Sequence, residues 1–174
     1  MKTSLVLTVI GADKPGLVEA LSRAVASHDA NWEDSRMAHL AGQFAGILRV
    51  TVDETRRAAL IRELGELERE GLRVVAAVSD TAESEQPTQL LRLELLSDDR
   101  AGIILDISRA LAELDVNLEE LSSEITSAPM AGHNLFRMQA TLRAPENVPL
   151  DRVTEVLESL ADELMVDLHF AEVS

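Results

Sequence analysis

A chain of 174 residues, 46% of them hydrophobic, has the apolar mass for one ordinary core or two small ones. Its 31 acidic against 16 basic residues leave a net charge of −15 with no dense basic cluster, and it has three Phe, one Trp and no Tyr, which argues against phosphate contacts and base stacking alike. With no cysteine, disulfides and thiolate chemistry are excluded.

The start, "MKTSLVLTVIGADKPG", lacks the long apolar region and cleavage site of a secretory leader, and no segment reaches the roughly 20 apolar residues of a bilayer span. A cytoplasmic location is expected. Leu5 to Ile10 reads as a strand, and Leu17, Val18, Leu21 and Val25 then recur at helical spacing. Between them lies "GADKPGLVEALS", where an acid, a proline and two glycines crowd one turn. Two strand-like runs follow, about Trp32 to Leu40 and Phe44 to Val52, joined at Gly42 as a hairpin. A second helix is predicted over Glu54 to Glu70, with Gly71 as its stop, and Leu72 to Val78 closes the unit as a strand.

"DTAESEQPTQ", Asp80 to Gln89, is polar and proline-bearing and reads as a linker. Beyond it the order repeats. A shift of 86 positions matches Leu5, Leu7 and Val9 with Leu91, Leu93 and Leu95, Asp13 with Asp99, Gly16 with Gly102, and Asn31 with Asn117. After a four-residue insertion near "SAPMAGHN", Gly42 matches Gly132 and Thr51 matches Thr141. Ile103, Ile104, Ile107, Leu111 and Leu114 form the second copy's first helix. Leu150 to Leu164 forms its second helix after Pro149, and Met165 to Val173 its last strand. The predicted architecture is α+β: two ferredoxin-like βαββαβ modules, 1–79 and 90–174, around a linker at 80–89, each an antiparallel four-stranded sheet with both helices on one face. The strands look apolar on both sides, Leu5, Leu7 and Val9 alternating with Val6 and Ile10. The face without helices is therefore expected to be covered by the other module or by another chain.

The first turn does not fit nucleotide chemistry. Leu17 and Val18 stand where a phosphate loop needs Lys and Ser or Thr, and Asp13 stands where a dinucleotide fingerprint needs its second glycine. As plain structure, Asp13 can cap the helix, Pro15 suits its first turn, and Gly16 permits close approach. Yet the acid and the glycine recur in the second copy while Pro15 becomes Ala101, and each copy places an Asn just after its first helix. Across an interface between paired units, helix-start N–H groups could hold a carboxylate, and Asp13 or Asp99 with an Asn amide could hold an ammonium.

A βαββαβ unit opening with "DKPGL" or "DDRAGI" and returning with "ANWEDS" or "VNLEEL" resembles the ACT domain over nearly the whole chain. That resemblance implies a regulatory module that binds amino acids where domains pair, with no catalytic domain attached. Carried over by motif, Asp13, Gly16, Leu17, Asn31 and Trp32 would line one effector site, and Asp99, Gly102, Ile103, Asn117 and Leu118 its counterpart. "GADKPGLVEALS" with "NWEDSRMAHLAGQFAGILRV" is similar, more narrowly, to tandem-ACT repressors of glycine cleavage genes. This implies glycine or another small amino acid as effector, a DNA-binding transcription regulator as protein partner, and a homodimer. The alternative is a regulatory subunit or interaction scaffold for a metabolic enzyme.

The four histidines, His28, His39, His133 and His169, form no helical pair, so no metal site is expected. His28, Asp29, Glu33 and Asp34 group in sequence without a nucleophile, and no Gly-x-Ser-x-Gly elbow appears. No cofactor and no enzyme activity are expected.

Overall fold

The computed structural model describes residues 1–79, 88–127 and 134–172. The chain divides into two compact units, Met1–Glu83 and Ser84–Ser174. Most of the expected linker, residues 80–87, lies outside the described residues, and its last two, Thr88 and Gln89, already belong to a strand. Unit 1 runs β1 (Lys2–Ala12), α1 (Leu17–Ser27), β2 (Asn31–Leu40), β3 (Gln43–Asp53), α2 (Glu54–Glu66), a 3₁₀ turn (Leu67–Glu70) and β4 (Leu72–Val78). Unit 2 repeats the order with β5 (Thr88–Asp98), α3 (Ile103–Glu113), β6 (Asn117–Ser127), β7 (Asn134–Pro145), α4 (Leu150–Leu164) and β8 (Asp167–Glu172).

Both sheets are antiparallel and four-stranded, ordered β2-β3-β1-β4 and β6-β7-β5-β8, so the predicted α+β class with ferredoxin-like modules holds. Period-two burial builds the inner face. Leu5, Leu7 and Val9 of β1 and Leu48, Val50 and Val52 of β3 meet Leu17, Leu21 and Val25 of α1 and Leu60 and Leu64 of α2 in one cluster. Each fully buried Leu contributes roughly 2 kcal/mol by area removed from water. The β2–β3 hairpin turns through Ala41 and Gly42, both at positive φ, which matches the strand twist. Asp53 starts α2 by accepting the Thr55 N–H at 3.0 Å, and the Thr55 hydrogen bonds hold its carboxyl below the ordinary aspartate range.

Strand registers correct the repeat. Leu7 and Leu93 lie 86 positions apart, but their partners Leu48 and Ala140 lie 92 apart, so the second copy carries six extra residues, not four. They fall between Thr126 and Leu135, which pair as Leu40 and Gln43 do. Thr51 is therefore equivalent to Arg143, not Thr141, and Gly132 lies outside the described residues.

The outer faces differ, which overturns half of the expectation that both are apolar. In unit 1 the register aligns Ile10 with Ala45, Ile47 with Thr8 and Val75, and Val6 with Ala77; Ile10, Ile47 and Val75 are 47%, 51% and 60% exposed. In unit 2 the places of Val6, Thr8 and Ile47 hold Arg92, Glu94 and Gln139, while the place of Ile10 keeps an apolar residue, Leu96. There Gln139 donates to Glu94 Oε1 at 3.1 Å, and Arg137 faces Glu124 at 3.9 Å. A sheet that pairs its own outward polar groups this way is built to face water.

Candidate effector site at the first helix of each unit

The two glycines of the "GADKPG" turn have separate physical reasons. A Cβ on Gly11 would lie 2.3 Å from the Gly71 carbonyl oxygen, so the strand accepts only glycine where the end of the 3₁₀ turn crosses it. Gly16 is needed for a different reason: its φ is +95°, with open space where a Cβ would stand. Close approach thus belongs to Gly11 and backbone freedom to Gly16, the reverse of the emphasis expected from sequence.

The capping role expected of Asp13 is also corrected. Gly16 itself is the N-cap of α1, with no side chain bonded to the first turn, and Gly102 at φ +97° does the same for α3. Asp13 lies three residues too early. Its backbone N–H donates to the Gly42 carbonyl at 2.9 Å, tying the turn to the hairpin, and its carboxylate faces His39 Nε2 at 3.3 Å. The first intrahelical bond is Ala20 N–H to the Gly16 carbonyl at 2.9 Å, so the N–H groups of Leu17, Val18 and Glu19 have no partner within the helix.

These groups border a shallow groove of about 570 Å³ lined by Asp13, Lys14, Gly16, Val18, Ser22 and Phe44, with Leu17 below. A carboxylate, an ammonium and free N–H donors at a positive helix end form a zwitterion-shaped polarity pattern. Leu17 and Ile103 are only 4% and 2% exposed, so their side chains belong to the cores and they offer a ligand backbone alone.

Asn31 and Trp32 do not join this groove. They follow an 11-residue helix, roughly 16 Å long, and open β2 at its other end. Asn31 pairs in register with Thr51, while Trp32 packs against the unit 1 core. In unit 2 the Asn117 amide donates to Glu119 Oε1 at 3.1 Å, and Leu118 packs against the core. Each unit therefore gathers the acid, the glycine and the helix start, and holds its Asn apart.

Three features escaped the sequence reading. Phe44 lines the groove, and the register makes Phe136 its equivalent; the six-residue offset hid the match. His39, paired with Phe44, reaches Asp13, whereas its equivalent beside Phe136 is Ile125. The third is a bulge in β2 after Trp32 and in β6 after Leu118, each carrying a glutamate bound to arginine. Glu33 meets Arg49 at 3.1 Å and accepts from Thr51; Glu119 meets Arg143 at 2.8 Å. The hydrogen bond from Arg143, with one from Asn117, holds the Glu119 carboxyl below its ordinary range.

Among the described residues no group of three or more His, Asp or Glu is placed to hold a metal ion, and no helix is long and apolar enough to cross a membrane. Two βαββαβ units, each with its acid-and-glycine turn at a helix start, define a tandem ACT-like fold. Residues 3–76 match the family model of the ACT domain. The chain resembles the glycine cleavage system transcriptional repressor of Escherichia coli (strain K12), 25% identical over 162 residues that span 92% of this chain and 85% of that protein. Among solved structures, a protein of unknown function from Galdieria sulphuraria has 29% identity and a TM-score of 0.88 over 100% of both chains. A protein described as a candidate glycine cleavage system transcriptional repressor shares the fold, with a TM-score of 0.74 at 19% identity over 100% of this chain and 99% of that one.

Proposed function

We propose that this chain is a cytoplasmic, non-catalytic amino-acid sensor that regulates glycine cleavage gene expression through a protein partner. The observation that carries this reading is the groove at α1, where the Asp13 carboxylate stands beside helix N–H groups that no side chain caps. Asp13 takes the ligand's ammonium and the first-turn N–H groups take its carboxylate, with Phe44 as the apolar wall. Asp99, Gly102 and Phe136 supply the equivalent set. The small opening over Gly16, where a Cβ would meet nothing, suits glycine or another small amino acid. Asn31 and Asn117 complete a site when a second copy of the chain brings them to the helix start, so ligand and pairing are linked.

The apolar outer face of unit 1 supports a homodimer, and a net charge of −15 favours action through a protein over direct operator contact. Calorimetric titration of the full chain with a panel of amino acids tests the reading, with binding of glycine or a similarly small residue expected. A folded protein that binds none at millimolar concentration would sink it. Recovery of a transcription regulator in a pull-down is the expected partner result, and recovery of a biosynthetic enzyme instead would favour the metabolic-subunit alternative.

A further inference from the structure

We propose that His39 is a positioning residue for the unit 1 groove, which makes amino-acid binding there dependent on pH. The inference rests on the effector reading of that groove. His39 sits at the end of β2 on the helix-facing side, opposite Phe44 in register, and its Nε2 lies 3.3 Å from Asp13 Oδ2. A neutral imidazole with its proton on Nε2 donates to that oxygen, fixing the carboxylate and leaving Oδ1 to accept from an ammonium. A protonated imidazole places a full positive charge beside the same carboxylate, where it competes with the ligand's ammonium for Asp13.

Histidine is the side chain that ordinarily changes charge between about pH 5 and 8. Other charged groups stand at this end of the unit. Lys14 extends over Gly71, its Nζ 3.2 Å from where a Cβ there would stand, and Glu19 on α1 is held by Arg23 at 2.7 Å. In unit 2 the equivalent of His39 is Ile125, opposite Phe136, so that strand position carries an apolar side chain in place of the imidazole. The two turns share an acid, a glycine and a helix start; the hairpin residue behind them separates their chemistry.

The test is calorimetric titration of the full chain with glycine at about pH 5.5 and pH 8, on the wild type, His39→Gln and His39→Ile. Wild-type affinity at the unit 1 site is expected to be about threefold to tenfold weaker at the lower pH, as an exposed charge competitor implies. Gln keeps a donor without a titrating charge and should preserve the affinity at pH 8 while abolishing the pH dependence. Ile, the unit 2 residue, should lose the pH dependence and part of the affinity together. An unchanged pH profile in both variants overturns the role of His39 and leaves the effector reading intact. Absence of glycine binding by the folded wild type at either pH, with the other amino acids also inert, overturns the effector reading and this role with it.

Discussion

The two sheets share strand order and an apolar inner face, yet they treat the opposite face in contrary ways. Unit 1 turns Val6, Ile10, Ile47 and Val75 outward, whereas unit 2 keeps Leu96 at the place of Ile10 but sets Arg92 and Gln139 at those of Val6 and Ile47. Charge divides in the same sense. Residues 1–79 hold 10 of the 16 basic and 11 of the 31 acidic residues, so nearly all of the net −15 belongs to the rest of the chain. A duplicated fold keeps what its core requires, which is the inner alternation, and is free to vary the face that folding does not use. Unit 1 has used that freedom to present a more apolar face, and unit 2 a more polar one.

The largest expected effect lies where the units agree. Leu7→Ala and Leu93→Ala each remove a fully buried side chain and should each cost about 2–5 kcal/mol in urea unfolding. Near-equal losses would confirm that the inner faces are equivalent, and a loss in only one would break that half of the comparison. Next is the strand end beside the first helix, where unit 1 has Gly11 and unit 2 has Ser97. Gly11→Ser should destabilise by about 1–3 kcal/mol, because its Cβ would meet the Gly71 carbonyl at 2.3 Å, while Ser97→Gly should change little by sterics.

The outer faces are separated by a matched pair of substitutions. Ile47→Glu puts a charge on the apolar face and should convert dimer to monomer in analytical ultracentrifugation without unfolding the chain. Gln139→Glu, at the equivalent place in unit 2, should leave the sedimentation unchanged. A dimer that survives Ile47→Glu would show that the unit 1 face is not the association surface.

The smallest effect is electrostatic. Glu119 is held below its ordinary range by Arg143, so the pair contributes stability that is present above the unfolded glutamate value, about pH 4.3, and is lost as pH falls through the lower folded value. Arg143→Ala should cost under about 1 kcal/mol at pH 7, since both partners are partly exposed, and the difference from wild type should vanish in acid. A difference that persists below pH 3 would assign the effect to lost packing of the Arg stem.

The duplication, the order of elements and the acid-glycine turn were legible because they are local: period-two and helical spacing, and a turn used twice. β1 and β5, and α1 and α3, lie 86 positions apart from end to end, as the shift predicts. The insertion was misread for a physical reason. Glutamate at each bulge needs an arginine, and the two copies exchange Thr and Arg between adjacent outward positions, so Thr51 aligned with Thr141 although Arg143 occupies its place. Phe44, which lines the groove, and His39, which reaches Asp13, come from a hairpin about 25 residues beyond the turn, and no spacing rule links them to Asp13.

By itself the sequence determined the two βαββαβ units, their inner cores and the recurrence of an acid and a glycine before each first helix, because hydrophobic period and turn composition act within a few residues. Only the tertiary structure decided that Asp13 faces His39 rather than capping its own helix, that Gly11 is required by a carbonyl from the end of the 3₁₀ turn, and that one outer face is apolar while the other is polar. Those features depend on strand register, and register is fixed by pairing between segments distant in the chain.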